Sequence, residues 1–104
     1  MTDYKKELNE LILAVVKEGG SDLHITVGFH PIIRVTGSLI PLVKKPILSP
    51  EDTQGLVFSL LSEYNRERLE KEKDVDFSYQ FEDKARFRGN AFYQRGFLGA
   101  SLRL

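Results

Sequence analysis

The sequence contains no cysteine and only two histidines. Without cysteine the chain has no disulfide, no thiol nucleophile and no cysteine-bound zinc, and two histidines are too few for a metal cage. The formal net charge is zero, since 15 Lys and Arg residues balance 15 Asp and Glu residues. No overall field therefore draws the chain to nucleic acid or to an anionic membrane, and we predict neither a metal site nor a nucleic-acid partner.

Long apolar runs are missing as well. No run approaches the roughly 20 residues of a membrane span, and the first residues lack the apolar centre of a signal peptide. The lack of cysteine, of a membrane span and of a signal peptide predicts a cytoplasmic chain.

The sequence has no Gly-x-x-x-x-Gly-Lys-Ser/Thr loop, and no glycine is followed by lysine. Because such a loop supplies the backbone cradle for a triphosphate, we expect that the chain does not hydrolyse ATP by itself.

With 104 residues, of which 41% are hydrophobic, the chain is expected to form a single domain over residues 1–104. Apolar residues at three- and four-residue steps predict a helix over residues 3–18, which Gly19-Gly20 ends. A second helix is predicted from Ser49 to about Leu61, because a capping hydroxyl, a proline and two acids open it. The highly charged residues 63–73 are interpreted as a solvated helix without a function.

Six short runs rich in β-branched and aromatic residues, separated by turn residues, predict strands. Their ranges are 22–27, 32–35, 38–42, 74–81, 85–94 and 98–104. The first three read as a meander with a tight turn at Thr36-Gly37. We therefore predict an α+β fold, with an antiparallel sheet of about six strands and two to three helices.

A two-residue turn at Arg95-Gly96 sets a testable register for the last two strands. In this register one face is mostly apolar and carries Phe87, Gly89, Ala91, Tyr93, Leu98, Ala100, Leu102 and Leu104. The other face is more polar and carries Arg88, Asn90, Phe92, Gln94, Phe97, Gly99, Ser101 and Arg103. A slip by one residue on one strand would mix these two sets, so the register is favoured.

The same register places Arg88 directly opposite Arg103, where two like charges destabilise an isolated sheet. One interpretation is an anion site, since two guanidinium groups that converge on a phosphate make several charge-assisted hydrogen bonds. The alternative is that both side chains extend into water or pair with a carboxylate such as Asp76. The residues alone leave both interpretations open.

Asp22 and His24 lie two apart on a predicted strand and point the same way. They lack a nucleophile of known geometry, so a structural or turn-stabilising role is favoured over a catalytic dyad.

Two blocks of the sequence resemble a known family. Residues 19–25, Gly-Gly-Ser-Asp-Leu-His-Ile, followed by 31–37, Pro-Ile-Ile-Arg-Val-Thr-Gly, are similar to the opening motifs of type IV pilus retraction ATPases, the PilT family of the type II/IV secretion ATPase superfamily. Residues 87–92 and 102–104 resemble the end of the same amino-terminal domain. The resemblance thus covers nearly the whole chain.

The resemblance implies a PAS-like amino-terminal domain of a hexameric ring ATPase that drives pilus disassembly and twitching motility. In that family a RecA-like domain follows, holds the Walker motifs and binds ATP and magnesium. The RecA-like domain is absent from residues 1–104, so this chain is expected to be inactive alone. The implied partners are the RecA-like domains of the same and neighbouring subunits, a homo-hexamer, and pilus machinery at the bacterial inner membrane.

The resemblance also bears on the arginines. In the superfamily, two arginines that lie 15 residues apart on the last strands reach the phosphates of a nucleotide held by a neighbouring subunit. Arg88 and Arg103 have this spacing, since 103 − 88 = 15. The family pattern therefore favours the anion interpretation for this pair, and Arg34 also matches a recurrent family arginine, with a role that we expect to be more structural.

The sequence departs from the family at two positions. Thr36 stands where aspartate is frequent, and Gly89 where a bulkier residue is common, which suggests a locally looser strand. Pilus assembly and type II secretion ATPases usually carry an additional domain ahead of this one. Because the first predicted helix begins soon after Met1, the retraction branch of the superfamily is favoured. The alternatives are the same domain of a pilus assembly or type II secretion ATPase, and a PAS-like small-ligand sensor, although the apolar face resembles plain core.

Overall fold

The three predicted helices are present, and each begins at a capping side chain. The structure is a computed structural model that describes residues 2–104. The helices are α1 (Tyr4–Lys17), α2 (Pro50–Leu60) and α3 (Glu63–Glu72). In each helix the N-cap side chain accepts a hydrogen bond from a backbone N–H of the first turn. The N-cap is Asp3 in α1, Ser49 in α2 and Ser62 in α3. None of the helices between residues 2 and 104 combines the length and hydropathy that crossing a membrane requires.

All six predicted strands are present in one antiparallel sheet. They are β1 (Asp22–Ile25), β2 (Ile32–Val35), β3 (Ser38–Pro41), β4 (Asp74–Phe81), β5 (Ala85–Gln94) and β6 (Phe97–Arg103). Their order across the sheet is β3-β2-β1-β6-β5-β4, so the first and last strands of the chain are neighbours at its centre. The α+β prediction and the meander of the first three strands are confirmed, while β1 ends two residues earlier than predicted.

Two tight turns set the registers of the two hairpins that the sequence predicted. Thr36 and Gly37 have φ of 46° and 82°, and Arg95 and Gly96 have φ of 53° and 83°. Positive φ at both central residues is the type I′ geometry, which matches the twist of the flanking strands. The predicted β5–β6 register is confirmed from Gln94 opposite Phe97 to Arg88 opposite Arg103.

The core lies between the helices and one face of the sheet. Its largest fully buried side chains are Phe87, Leu8, Leu11, Ile12, Leu23, Ile25, Ile33, Leu69 and Leu102. The apolar β5–β6 face therefore packs under the helices, and its interpretation as core is confirmed. Leu104 is an exception, because it follows the end of β6 and is 54% exposed. The opposite face of the sheet carries the polar residues.

Gly89 does not make β5 loose, contrary to the expectation from the sequence. Its partner on β4 is Phe77, and a Cβ added to Gly89 would lie only 2.4 Å from the tip of the Phe77 ring. Phe77 itself is buried. The missing side chain at position 89 is thus replaced by an aromatic ring from the neighbouring strand, which is a known way to protect a glycine within a sheet.

We therefore expect Gly89→Val to lower the free energy of unfolding by about 1–3 kcal/mol, the usual cost of overpacking a filled core. Ser78→Val is the matched control, because position 78 is exposed on β4 and a β-branched residue suits a strand surface. Urea denaturation of both variants measures the difference. A Gly89→Val variant as stable as the wild type would show that the space is not filled as described.

Candidate functional site

The face of the sheet away from the helices carries a row of charged residues that runs from strand to strand. Cross-strand pairing joins Arg34 on β2 to Asp22 on β1, Asp22 to Arg103 on β6, and Arg103 to Arg88 on β5. Partners that lie directly opposite each other point to the same face. We call these four residues the arginine row. They line a depression of about 700 Å³ that is open to solvent.

Arg88 and Arg103 are brought together as the sequence predicted. They are direct partners across β5 and β6, and both are exposed. The partner of Arg88 on its other side, β4, is Ser78, which carries no charge. Among the ion pairs within residues 2–104, none involves Arg88. Arg88 therefore presents a cation to solvent beside a second cation, which is the arrangement that an anion would relieve.

Arg103 is paired with an acid, but the acid is Asp22 and not the Asp76 that the sequence suggested. Arg103 Nε lies 3.6 Å from Asp22 Oδ2, which is too long for a hydrogen bond but within ion-pair range. The side chain of Arg103 is 76% exposed and that of Asp22 only 10%. Asp76 instead accepts a hydrogen bond of 2.9 Å from Asn90.

The carboxylate of Asp22 is held at the centre of the row. The hydroxyl of Ser21 donates a hydrogen bond of 2.6 Å to Asp22 Oδ1. This hydrogen bond, with the nearby charges of Arg103 and Arg34, lowers the pKa of Asp22 below its ordinary value of 3.8, although burial acts in the opposite direction. Asp22 is therefore a buried carboxylate that stays ionised at neutral pH.

Arg34 has a local role in the structure. Its Nη1 donates a hydrogen bond of 3.2 Å to the carbonyl of Gly37, which lies in the type I′ turn between β2 and β3. This contact agrees with a structural role for Arg34. Arg34 nevertheless lies on the same face as the arginine pair, on the far side of Asp22.

The sequence did not identify Asp22 as part of this site. The sequence placed Asp22 in the block of residues 19–25 and favoured a structural or turn-stabilising role for it, but it gave no sign of a neighbouring arginine. The position of Asp22 between two arginines depends on β1 pairing with both β2 and β6, and the pairing with β6 joins segments about 80 residues apart. The site thus has two exposed, opposed arginines and a fixed acid beside one of them, and its chemistry suits the binding of an oxyanion.

The chain is similar over most of its length to two curated type IV pilus ATPases. The type IV pilus ATPase PilU of Pseudomonas aeruginosa is 38% identical to the chain over 97 residues, which are 93% of this chain and 25% of PilU. The type IV pilus retraction ATPase PilT of the same organism is 34% identical over 97 residues, again 93% of this chain, and 28% of PilT. No protein-family model matches the chain.

The crystal structure of the pilus retraction motor PilT with bound ADP carries the same fold. It superposes with a TM-score of 0.85 and 44% sequence identity over 92% of this chain. This chain is an amino-terminal domain of the PilT type. The PilT-type domain spans only about a quarter of the length of the curated relatives that it matches, and 28% of the PilT crystal structure.

Proposed function

We propose that this PilT-type domain works in a type IV pilus retraction ATPase, where Arg88 and Arg103 reach the phosphates of a nucleotide bound by a neighbouring subunit. The observation that carries the proposal is the pair of opposed arginines on the open face of the sheet. Like charges in direct cross-strand contact destabilise a sheet. The presence of two opposed arginines on a solvent face is explained if both contact an anion in the assembled protein.

The chemistry of the pair fits a phosphate better than a carboxylate ligand. Each guanidinium group offers a planar fork of N–H donors, and two forks can share the oxygens of one phosphoryl group. Charge that accumulates on a transferring phosphoryl group is stabilised by such donors. The domain would therefore contribute groups that act in the reaction of another domain without supplying a nucleotide cradle of its own.

The proposal implies specific partners. The nucleotide would be ATP with magnesium, bound by a RecA-like ATPase domain, and the crystal structure of PilT contains ADP. The domain would contact the RecA-like domains of its own and the neighbouring subunit in a homo-hexamer. That ring would act at the cytoplasmic side of the inner membrane, through contacts with the pilus machinery.

A domain exchange tests the proposal. Residues 2–104 would replace the corresponding amino-terminal segment of Pseudomonas aeruginosa PilT, and twitching motility would be measured in a strain that lacks its own PilT. We expect the chimera to restore twitching, and the same chimera with Arg88→Ala and Arg103→Ala to fail although it accumulates to the same level. A chimera that folds and forms hexamers but supports no retraction would contradict the assignment to a retraction ATPase.

The chain alone is expected to show no ATPase activity and no measurable affinity for ATP. The physical reason is the lack of a Gly-rich loop and lysine that could hold the phosphates through backbone N–H groups. Phosphate release with and without magnesium, compared with a heat-inactivated sample, measures the activity. Phosphate release above this background would show that the chain contains a catalytic site that the proposal does not include.

A further inference from the structure

The two arginines of the proposed phosphate site are not equivalent, because only Arg103 has an acid as a direct cross-strand partner. Asp22 is the direct cross-strand partner of Arg103, and Asp22 Oδ2 lies 3.6 Å from Arg103 Nε. Arg88 has Ser78 as its second cross-strand partner and belongs to no ion pair of residues 2–104. The surroundings of the two guanidinium groups thus differ in charge.

We propose that Asp22 is a positioning residue that holds Arg103 in place for a phosphate group, while leaving most of its donors free. The proposal rests on the proposed function, since it assumes that Arg103 meets a phosphate. It adds a residue that acts through Arg103, and that is not itself expected to touch the nucleotide.

The geometry of Asp22 suits this role. A carboxylate that accepted both terminal nitrogens of Arg103 would compete with a phosphate for the same donors. Here the ion-pair contact of Asp22 is with Nε, and three quarters of the Arg103 side chain remain exposed. Asp22 can therefore fix the direction of the side chain without blocking its outer edge.

The carboxylate is itself fixed, which a positioning residue requires. The Ser21 hydroxyl holds one oxygen of Asp22 at 2.6 Å, and the side chain is 90% shielded from solvent. Asp22 also lies between Arg34 and Arg103 in the arginine row. Without its negative charge, three cations would remain in one row, and repulsion would move the exposed Arg103 side chain away from its neighbours.

A double-mutant cycle in the full-length ATPase tests the inference. The variants are Asp22→Asn, Arg103→Ala and Arg88→Ala, with the two double variants that combine Asp22→Asn with each arginine change. We expect Asp22→Asn alone to lower kcat between about 2-fold and 100-fold, the range of couplings between residues in contact, with a smaller change in KM for ATP. In the Arg103→Ala background Asp22→Asn should have no further effect, whereas in the Arg88→Ala background its effect should persist.

Asp76→Asn is the matched control. Asp76 lies on the same face and accepts a hydrogen bond from Asn90, but it forms no ion pair with an arginine among the described residues. We expect its variant to keep wild-type turnover. Ser21→Ala provides a milder second variant should Asp22→Asn lower the yield of folded protein, since it removes only the hydroxyl that fixes the carboxylate. Its loss of turnover should likewise disappear in the Arg103→Ala background.

Nuclear magnetic resonance of residues 2–104 supplies a readout without catalysis. Asp22→Asn should shift and broaden the Nε–Hε signal of Arg103 and leave that of Arg88 in place. The inference is overturned if Asp22→Asn lowers turnover equally with and without Arg103, or if it leaves turnover unchanged while Arg103→Ala lowers it. Wild-type turnover in both Arg88→Ala and Arg103→Ala would instead refute the proposed function, so the two failures are distinguishable.

Discussion

Under the proposed function, replacing Arg88 or Arg103 by alanine in the full-length protein is expected to lower ATP turnover by about 10³-fold, the lower end of the effect of arginines supplied in trans to a phosphoryl group. The two residues are direct partners on the open face of the sheet, and both side chains are exposed. An anion between subunits would meet both at once. Binding of ATP should suffer less than turnover, because charge on the phosphoryl group is largest in the transition state.

The same substitutions should cost little stability in the chain itself. Arg88→Ala removes one member of a like-charge pair and no ion pair, so the free energy of unfolding should stay equal or rise slightly. Arg103→Ala also loses the contact with Asp22, and a pair with so exposed a partner is worth at most about 1 kcal/mol. Thermal melting of residues 2–104 measures both values.

Two outcomes would contradict this assignment. Wild-type turnover in both variants would show that no phosphate depends on the pair. A large fall in melting temperature for both variants of the chain would show that the arginines serve the fold, and their effect on turnover would then be indirect. An assembly of the same size as the wild type, measured by light scattering, is the control that the proposed hexamer still forms.

Phe87→Ala is expected to lower the free energy of unfolding by about 3–5 kcal/mol, the usual cost of truncating a buried aromatic residue. Phe87 is fully buried and adjoins Arg88 on β5, pointing to the opposite face of the sheet. Because the total free energy of unfolding of a small domain is only about 5–15 kcal/mol, this loss is a large part of its stability. The loss also reaches the site, since the packing of Phe87 fixes which face of β5 presents Arg88.

Phe97→Ala is the matched control for Phe87→Ala. It removes the same side chain from β6, but Phe97 is 46% exposed, so its burial contributes much less. Chemical denaturation of both variants gives the comparison. Equal losses for the two variants would mean that the core does not lie on the Phe87 face, and the orientation of the arginine row would have to be revised.

Local patterns predicted most of the fold, because each pattern is decided by neighbours in the chain. The helix from Ser49 was predicted from its capping residues, and the structure shows the capping box between Ser49 and Asp52. The turn at Arg95-Gly96 fixed the β5–β6 register, and with it the opposition of Arg88 and Arg103. A two-residue turn leaves no freedom in the pairing that follows it, so this part of the candidate site was accessible from the sequence.

The packing of side chains from neighbouring strands was not accessible in this way. The sequence indicated that Gly89 departs from its family, but not that the ring of Phe77 fills the space above it. The interpretation of a looser strand was therefore wrong. A side chain that substitutes for a missing one is visible only when the register of both strands and the rotamer of the ring are known.

The sequence by itself determined the elements, the two tight turns and the pair of opposed arginines, because a turn and the alternation of side chains along a strand are local properties. Only the tertiary structure decided that β1 lies beside β6 and thereby places Asp22 next to Arg103. The physical reason is that neither strand contains a local signal for the other. Their adjacency follows from how the whole sheet buries its apolar face under the three helices, which is a property of the complete core.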